Sequence, residues 1–397
     1  MPIASATAVV RLKKNQDRRL RAGHPWIFSN EIEAVNGTVS DGDIVALEDA
    51  RGAFLGQGYL NRHSLIAVRV LTRGRDLIDE TFFLKRLRRA VEYRERMYPG
   101  DTAIRLVSAE ADLLPGLVVD RYGDVLAVGI STLGMEARKE LLLGILQDHL
   151  APRAVALVAD SPLRALEGLP LERRHWAGEP ELAREVLMGG LRYRVDPLEG
   201  QKTGLFLDQR DNRARLDGRV AGGRVLDAYC YTGAWGLAAV GYGASEAVLI
   251  DTSESSLAAA EANAELNGMS DRVQLLKDDA FKGLAVLGRT GQRFEAAVVD
   301  PPALVRAKSH KREGIRKYLE LNKRAMSLVA EGGWLFTSSC SHAVSQEEFL
   351  EMLRLAAAAA HRSFRLVEWG IQSKDHPVLL SAPETAYLKC AVLRSVA

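Results

Sequence analysis

The hydrophobic and polar positions follow two different patterns along the chain. Up to residue 75, short apolar runs such as AVVRL, IVALED and LIAVRVL are separated by turn residues. This pattern is typical of a small β-barrel or β-sandwich. From Gly222 onward, apolar runs such as GRVLDAY, EAVLID and EAAVVD alternate with helix-like stretches. This alternation predicts an α/β fold with a doubly wound, mostly parallel sheet.

The middle of the chain has a mixed pattern. We predict an amphipathic helix from Asp79, a single helix near 134–149, and a hairpin that turns at Gly189-Gly190. The chain should therefore contain three domains. These are a β-rich domain at 1–75, a small α+β domain at 76–195 and the doubly wound domain at 196–397.

The end of the chain departs from the alternation of strands and helices. The last two predicted strands, near 364–372 and 385–394, have no helix between them. We therefore expect them to form an antiparallel pair at one edge of the sheet. With the five preceding strands, this makes a seven-stranded sheet.

The composition is that of a globular protein. The 397 residues are 47% hydrophobic and 26% charged, with a net charge of +2, which excludes disordered and fibrous classes. No apolar run is long enough for a membrane span, and no signal peptide pattern is found, so we expect a cytoplasmic protein with no membrane partner. The three cysteines, Cys230, Cys340 and Cys390, fit neither a disulfide framework nor zinc spacing, and we predict no metal site.

Basic side chains are concentrated in three clusters. Residues 11–21 hold six basic side chains and one acid, and further clusters lie at 85–96 and 306–324. One such run is often only a solvated helix face. Three together favour an anionic polymer such as RNA, because neutralising phosphates supplies most of the sequence-independent affinity. The candidate phosphate contacts are Arg18, Arg19, Arg21, Lys311 and Arg312.

Four acidic residues lie at the ends of predicted strands: Asp227, Asp251, Asp279 and Asp300. Parallel strands bring their carboxyl ends to one edge of a sheet, where such folds bind ligands. Asp251 follows Asp227 by 24 residues, a distance at which an acidic residue binds the ribose hydroxyls of a nucleoside cofactor. Asp279 is placed to accept from an adenine amino group. Each acid alone is often only a helix cap, but four in register indicate a cofactor site.

The turn after the first strand of this domain narrows the choice of cofactor. Gly233 lets the backbone approach a ligand at the start of a helix. A nicotinamide dinucleotide would require G-x-G-x-x-G for its pyrophosphate, but Tyr229 and Tyr231 replace the early glycines. We therefore predict a nucleoside without phosphates, S-adenosylmethionine, bound by these three residues and the four acids.

Several motifs carry a resemblance to a known family: residues 200–213, then VLDAYCYTGAWG, VVDPPALV and TSSCSHAV. Together with the opening 23–28, they make the whole chain similar to the bacterial 23S ribosomal RNA 5-methylcytosine methyltransferase I family. The resemblance implies an N-terminal PUA RNA-binding domain, a central α+β domain and a C-terminal Rossmann-like methyltransferase domain. It implies 23S ribosomal RNA of the large subunit as the partner, with a homodimer as a possible assembly. It also places Arg210 and Lys202 at the cofactor or substrate, with a capping or surface role equally open.

Cys340 decides the predicted reaction. Cytosine C5 is a poor nucleophile, so its methylation needs a thiolate that adds to C6 and is later expelled. Cys340 follows the strand WLFTSS, where cofactor and substrate should meet, although a small buried hydrophobe is the alternative reading. A free thiol is mostly protonated at neutral pH and needs polar or cationic help, which His342 or the basic helix could supply. Asp300 is the second catalytic candidate, because it could hold the cytosine N4 amino group and share a proton with N3, making C6 more electrophilic. The base that removes the C5 proton is unassigned.

Two other functions remain open. One is a guanine N-methyltransferase of the related branch, whose corresponding loop lacks the cysteine. Ala303 stands where exocyclic-amine methyltransferases usually place an aromatic ring, which argues against that chemistry. The other is a non-catalytic ribosome-assembly factor that binds RNA through the basic clusters. Such a factor would need neither Cys340 nor the acids.

Overall fold

The computed structural model describes residues 8–200, 203–305 and 307–396. They form two compact units. The first comprises Met1–Val186, Val195–Leu205 and Lys374–Thr385, and the second comprises Leu187–Arg194, Phe206–Ser373 and Ala386–Ala397. Two residues of the sequence analysis, Lys202 and Arg306, lie outside the described residues. Within the described ranges, no helix is long and apolar enough to cross a membrane.

The first unit opens with a six-stranded sheet. Its strands are β1 (Ala8–Leu12), β2 (Trp26–Ile27), β3 (Ile32–Asn36), β4 (Ile44–Glu48), β5 (Phe54–Leu60) and β6 (Val68–Thr72), and the short helix α1 (Arg18–Arg21) follows β1. Their spatial order is β2-β6-β5-β4-β1-β3. Alternate residues such as Val10 and Leu12 are fully buried, which accounts for the apolar periodicity of this segment. The β-rich opening predicted from the sequence is confirmed.

A five-stranded sheet with its helices makes up most of the remaining first unit. The elements are α2 (Glu80–Met97), β7 (Ala103–Ser108), β8 (Leu117–Tyr122), β9 (Val125–Ile130), α3 (Leu133–Glu136), α4 (Lys139–Leu150), β10 (Ala154–Ala159), α5 (Leu163–Leu166) and β11 (Glu172–Gly178). The strand order is β11-β10-β9-β8-β7. Helix α2 begins after Asp79, whose carboxylate accepts from the Phe82 N–H, and its buried residues Phe83 and Leu87 join the core of the sheet. The division into three domains stays a prediction.

The structure differs from the sequence analysis at two places in this region. The helix expected near 134–149 is broken between α3 and α4. The Arg138 guanidinium donates to the Gly134 carbonyl at 2.8 Å, and the Arg138 N–H donates to the Met135 carbonyl instead. The sequence also fails to predict β11, because its residues ERRHWAG are mostly charged or polar. This strand forms because it pairs antiparallel with β10 at the edge of the sheet, so tertiary pairing overrides local propensity.

The second unit contains the predicted doubly wound sheet. The predicted hairpin is formed by β12 (Arg184–Met188) and β13 (Leu191–Val195). The elements that follow it are α6 (Arg210–Ala214), β14 (Arg224–Ala228), α7 (Ala234–Gly241), β15 (Glu246–Asp251), α8 (Glu254–Leu266), β16 (Val273–Lys277), α9 (Ala280–Arg289), β17 (Phe294–Val299), α10 (Lys311–Leu328), β18 (Val329–Ser339), α11 (Gln346–Ala359), β19 (Ser363–Gly370) and β20 (Lys389–Val396). The strand order is β16-β15-β14-β17-β18-β20-β19. The predicted antiparallel pair is confirmed, since β20 pairs antiparallel with the edge strand β19 and also with β18.

Apolar side chains cover both faces of this sheet. The neighbouring residues Val225 and Leu226 of β14 point to opposite faces. Val225 belongs to the core that includes Trp235 of α7, and Leu226 to the core that includes Tyr318 of α10. Burial on both faces explains why these strands read as continuous apolar runs. Because β14 to β18 are parallel to their neighbours, their carboxyl ends lie along one edge.

Candidate active site

The order of the parallel strands reverses at β14. From β14 the chain moves outwards to β15 and β16, and then returns to β17 on the other side of β14. Open α/β sheets bind ligands at such a switch point, beyond the carboxyl ends of the strands. Asp227 lies in β14, Asp251 ends β15, Asp300 follows β17 and Cys340 follows β18. The structure therefore brings candidates from four different strands to one edge of the sheet.

The turn after β14 has an unusual backbone. Tyr229, Tyr231 and Gly233 have positive φ angles of 65°, 50° and 82°. Such angles are strained for bulky side chains, so other contacts must hold them. The N–H groups of Tyr229 and Cys230 both donate to the Ile250 carbonyl, at 3.0 and 3.1 Å. These two hydrogen bonds hold the backbone of the turn in place, although the turn lacks the early glycines of a glycine-rich loop.

Two carboxylates hold this turn. Asp251 accepts from the N–H of Tyr231 at 3.0 Å and from that of Ser253 at 2.9 Å. Asp227 is fully buried and accepts from the Gly236 N–H at 2.9 Å, while its Oδ1 has no hydrogen-bond partner among the described residues. A carboxylate has about four acceptor positions, so the partly exposed Asp251 retains capacity for a ligand. Asp227 lies behind the turn, and its direct contact with a cofactor stays a prediction.

The acids of this edge share a negative electrostatic field. Burial, followed by repulsion from the carboxylates of Asp300 and Asp251, raises the pKa of Asp227 to about 7. Burial and the charges of Asp279 and Asp251 raise the pKa of the Tyr229 hydroxyl to about 12. This field repels a pyrophosphate and attracts a cationic ligand. The carboxylate acceptors at this edge therefore fit S-adenosylmethionine, which carries ribose hydroxyls, an amino group and a positive sulfonium.

Asp279 also has a structural role. It precedes α9, and its Oδ1 accepts from the Lys282 N–H at 3.2 Å. This is the helix-capping role that the sequence left open for acids at strand ends. The cap uses one oxygen of the carboxylate, and the contact with an adenine amino group stays a prediction.

Two side-chain donors orient Asp300. Nε2 of Gln209 donates to its Oδ1 at 2.8 Å, and Nε1 of Trp235 donates to its Oδ2 at 3.1 Å. Trp235 is 4% exposed and belongs to the core that includes Val225. The two bonds fix the plane of the carboxylate.

Arg210 lies in a cluster of charged groups. It is the first residue of α6 and is buried. Burial lowers the pKa of Arg213, and Arg210 lowers it further, while Asp208 and Asp300 act in the opposite direction. A buried arginine can bind a ligand carboxylate through paired hydrogen bonds. Its predicted contact with the cofactor is compatible with this position and stays a prediction.

The loop after β18 presents Cys340. This cysteine is partly exposed, whereas Ser339 and Ser341 on either side of it are buried. The hydroxyl of Tyr318 in α10 forms 3.0 Å hydrogen bonds with the side chains of both serines. The serines therefore anchor the loop, and the cysteine between them remains accessible.

The other two cysteines of the chain are buried. Cys230 lies in the turn after β14, and Cys390 lies in β20. Burial raises the pKa of both thiols, that of Cys390 to about 12. Neither thiol is ionised near neutral pH, so Cys340 is the candidate nucleophile.

A lysine of β20 lies beside the cysteine loop. Nζ of Lys389 donates to the carbonyls of Ser341 at 3.0 Å and Tyr387 at 3.1 Å. Burial lowers the pKa of Lys389, and attraction to Cys340 opposes this effect. Partial burial and the charge of Lys389 lower the pKa of His342, so its imidazole is neutral at pH 7. The structure therefore favours Lys389 over His342 as the cation near Cys340.

Sequence reasoning assigned no role to Gln209, which lies in the motif 200–213, or to Lys389. Gln209 lies 91 residues from Asp300, and Lys389 lies 48 residues from Ser341, so no local spacing connects them. One signal was available for Lys389. It is a single charge within the otherwise apolar run LKCAVL, which predicts a buried strand.

The candidate RNA contacts of α1 differ in their pairing. Arg21 forms ion pairs with Asp17 and Asp49. Arg19 packs over an aromatic ring at 4.7 Å and donates to a backbone carbonyl. The exposed Arg18 has no ion pair in the part of the chain that the structure describes. Arg18 is thus the most available of the three for a phosphate.

The candidates of α10 divide in the same way. Lys311 forms an ion pair with Glu348 at 2.6 Å, which reduces its availability. Arg312 is exposed and, within the described ranges, has no ion pair. The same holds for Arg316, which lies one helical turn further along and was not predicted individually. These two arginines form an exposed cationic stripe on α10.

Comparison with known proteins supports both the fold and the cofactor. Residues 10–73 match the family model of the PUA-like domain, and residues 170–383 match that of S-adenosylmethionine-dependent methyltransferases. The confirmed PUA-like opening and the second match agree with the architecture predicted from the sequence. Cofactor dependence on S-adenosylmethionine is thereby confirmed.

Similar proteins cover nearly the whole chain. A protein of Aeromonas hydrophila named ribosomal RNA large subunit methyltransferase I is 37% identical over 98% of this chain and 100% of its own length. One of Escherichia coli with the same name is 34% identical over 95% of this chain and 97% of its own. A solved S-adenosylmethionine-dependent methyltransferase from Streptococcus mutans has a TM-score of 0.83 at 21% identity, covering 97% of this chain and 99% of that one. Its likeness concerns the fold.

Proposed function

Because the chain belongs to the family of ribosomal RNA large subunit methyltransferase I, a group of S-adenosylmethionine-dependent methyltransferases, we propose that it methylates C5 of a cytosine in large-subunit 23S ribosomal RNA. The observation that supports cytosine C5 chemistry is Cys340. It is the one partly exposed cysteine of the chain, and it follows β18 at the edge where the acids converge. An RNA substrate fits a cytoplasmic location.

The proposed reaction begins at C6 of the cytosine. The Cys340 thiolate adds there, forming a carbon–sulfur bond and moving an electron pair to C5. S-adenosylmethionine, when bound, supplies the methyl group that C5 takes up. Loss of the C5 proton then returns the electron pair to the ring, breaks the carbon–sulfur bond and releases the Cys340 thiolate. Asp300 would accept a hydrogen bond from the N4 amino group and share a proton with N3, which makes C6 more electrophilic. Gln209 and Trp235 set the orientation of its carboxyl group.

The cofactor would bind beyond the carboxyl ends of β14, β15 and β16. Asp251 would accept from the ribose hydroxyls, and Asp279 from the adenine amino group. The turn with Tyr229, Tyr231 and Gly233 would form the wall beside the nucleoside. Arg210 would bind the carboxylate of the methionine part. Asp227 would support this turn, because it accepts from the Gly236 N–H behind it.

Product mapping tests the proposed function. The purified protein is incubated with large-subunit ribosomal RNA and methyl-labelled S-adenosylmethionine, and the digested nucleosides are identified by mass spectrometry. We expect the label in 5-methylcytidine. Label in methylated guanosine would instead establish the guanine N-methyltransferase. RNA and cofactor binding without any labelled nucleoside would establish the non-catalytic assembly factor.

Replacing Arg312 and Arg316 together with alanine should weaken RNA binding and reduce its salt dependence. Each phosphate contact contributes about −0.7 to −0.9 to the slope of log K against log salt. The slope of the double variant should therefore be shallower than that of the wild type by about 1.4–1.8. The matched control is Lys323→Ala on the same helix, because Lys323 shares Glu320 with Arg324 and leaves that acid paired. Filter binding over a salt series provides the measurement. A slope that is the same in the double variant and the wild type would exclude this stripe from the RNA interface.

A further inference from the structure

Lys389 is a buried cation that has no acidic partner among the described residues. It is 8% exposed, and its two hydrogen-bond acceptors are the carbonyls of Ser341 and Tyr387. Among the described residues, no aspartate or glutamate forms an ion pair with it. A buried ammonium without a counter-charge is costly, since carbonyl dipoles replace only part of its hydration. An anion is therefore expected nearby.

Cys340 is the group that fits this position. β18 and β20 are antiparallel, and Lys389 lies directly opposite Ser339, the residue before Cys340. Its ammonium binds the carbonyl of Ser341, the residue after Cys340. The lysine thus contacts the backbone that carries the cysteine, and the Cys340 charge acts on the lysine.

The other titratable groups of the loop are neutral at pH 7. His342 carries no charge, because partial burial and Lys389 itself lower its pKa. Tyr318, which faces the loop from α10, has a pKa raised by burial, so it remains a phenol. Tyr387 precedes β20, and its ring is tilted by 36° against that of His342, with 5.9 Å between the ring centroids. Lys389 is therefore the cation that these elements present to Cys340.

We propose that Lys389 is a positioning residue that holds the loop of Cys340 and stabilises the thiolate of this cysteine. The interaction is reciprocal: the thiolate stabilises the charged form of Lys389, and the charged lysine stabilises the thiolate by the same free energy. A salt-bridged thiolate would be ready for addition at neutral pH without a separate base to deprotonate it. The role in catalysis rests on the proposed function, whereas the pairing of the two groups does not.

The test is the pH dependence of Cys340 alkylation by iodoacetamide in the full-length protein. Burial protects Cys230 and Cys390, and Cys340→Ala gives the background rate. An opposite charge at close range lowers an acid's pKa by about 1–3 units, so the wild-type midpoint should lie well below the ordinary thiol value of about 8.5. Lys389→Met should raise the midpoint by at least about one unit, and Lys389→Arg should retain most of the wild-type behaviour. Lys323→Met, which removes a partly exposed lysine of α10, serves as the control.

The outcomes separate this proposal from the proposed function. A wild-type midpoint at or above about 8.5 overturns the pairing. This measurement needs no variant, so the test remains decisive even if Lys389→Met does not fold. An unchanged midpoint in folded Lys389→Met overturns it as well. If the midpoint shifts while Cys340→Ala still methylates RNA, the pair exists and the cysteine mechanism is wrong. If both the pairing and the cysteine mechanism are correct, the methylation rate of Lys389→Met should recover as pH rises, with an unchanged KM for RNA.

Discussion

Cys340→Ala should abolish methyl transfer and leave the fold and the binding of S-adenosylmethionine intact. The thiol is required to make C5 nucleophilic, and the two remaining cysteines are buried. Removing a group that carries a covalent step costs at least about a thousandfold in rate. Because the side chain is small and partly exposed, the loss of folding free energy should be only about 1 kcal/mol. Initial rates with labelled cofactor, together with calorimetric cofactor titration, measure the two effects separately.

RNA with 5-fluorocytosine at the target position extends this test. Fluorine cannot leave C5 as the proton does, so the Cys340 adduct should persist and migrate as a covalent complex on a denaturing gel. The matched control is Cys390→Ala, which removes a buried thiol of β20 and should still form the complex. A complex in Cys340→Ala, or methylation by it at nearly the wild-type rate, would show that the cysteine is structural.

The sequence predicted the second unit better than the first. Continuous apolar strands and the missing helix between β19 and β20 were sufficient for the seven-stranded sheet and its antiparallel edge. In the first unit, β11 depends on pairing with β10, and the break after α3 depends on the Arg138 side chain. These features arise from tertiary contacts, which local periodicity does not contain.

The candidate site shows the same limit. Asp251, Asp300 and Cys340 were predictable because each follows an apolar strand, and parallel strands end at one edge. What orients them was not predictable. The cation beside Cys340 comes from the antiparallel register of β18 and β20, which places Lys389 opposite Ser339. A register between distant strands is set by packing and loop geometry, so no motif reveals it.

Asp251→Ala should weaken the binding of S-adenosylmethionine by about ten- to a hundredfold. The proposed hydrogen bonds from the ribose hydroxyls to this carboxylate are charge-assisted, and losing one costs about 1.5–3 kcal/mol. Calorimetric titration measures the affinity. The control is Glu254→Ala, which removes an exposed carboxylate paired with Lys277 at the start of α8 and should leave the affinity unchanged.

A weaker affinity has two possible origins, because Asp251 also accepts from the Tyr231 and Ser253 N–H groups. Removing the carboxylate leaves two donors unsatisfied and loosens the turn, which would lower affinity without any ribose contact. A cofactor analogue with 2′-deoxyribose separates the two effects. It should bind the wild type more weakly than S-adenosylmethionine does. To Asp251→Ala, the analogue and S-adenosylmethionine should bind with nearly equal affinity, because non-additive effects mark a direct contact. Equal penalties for the analogue in both proteins would assign Asp251 to the turn alone.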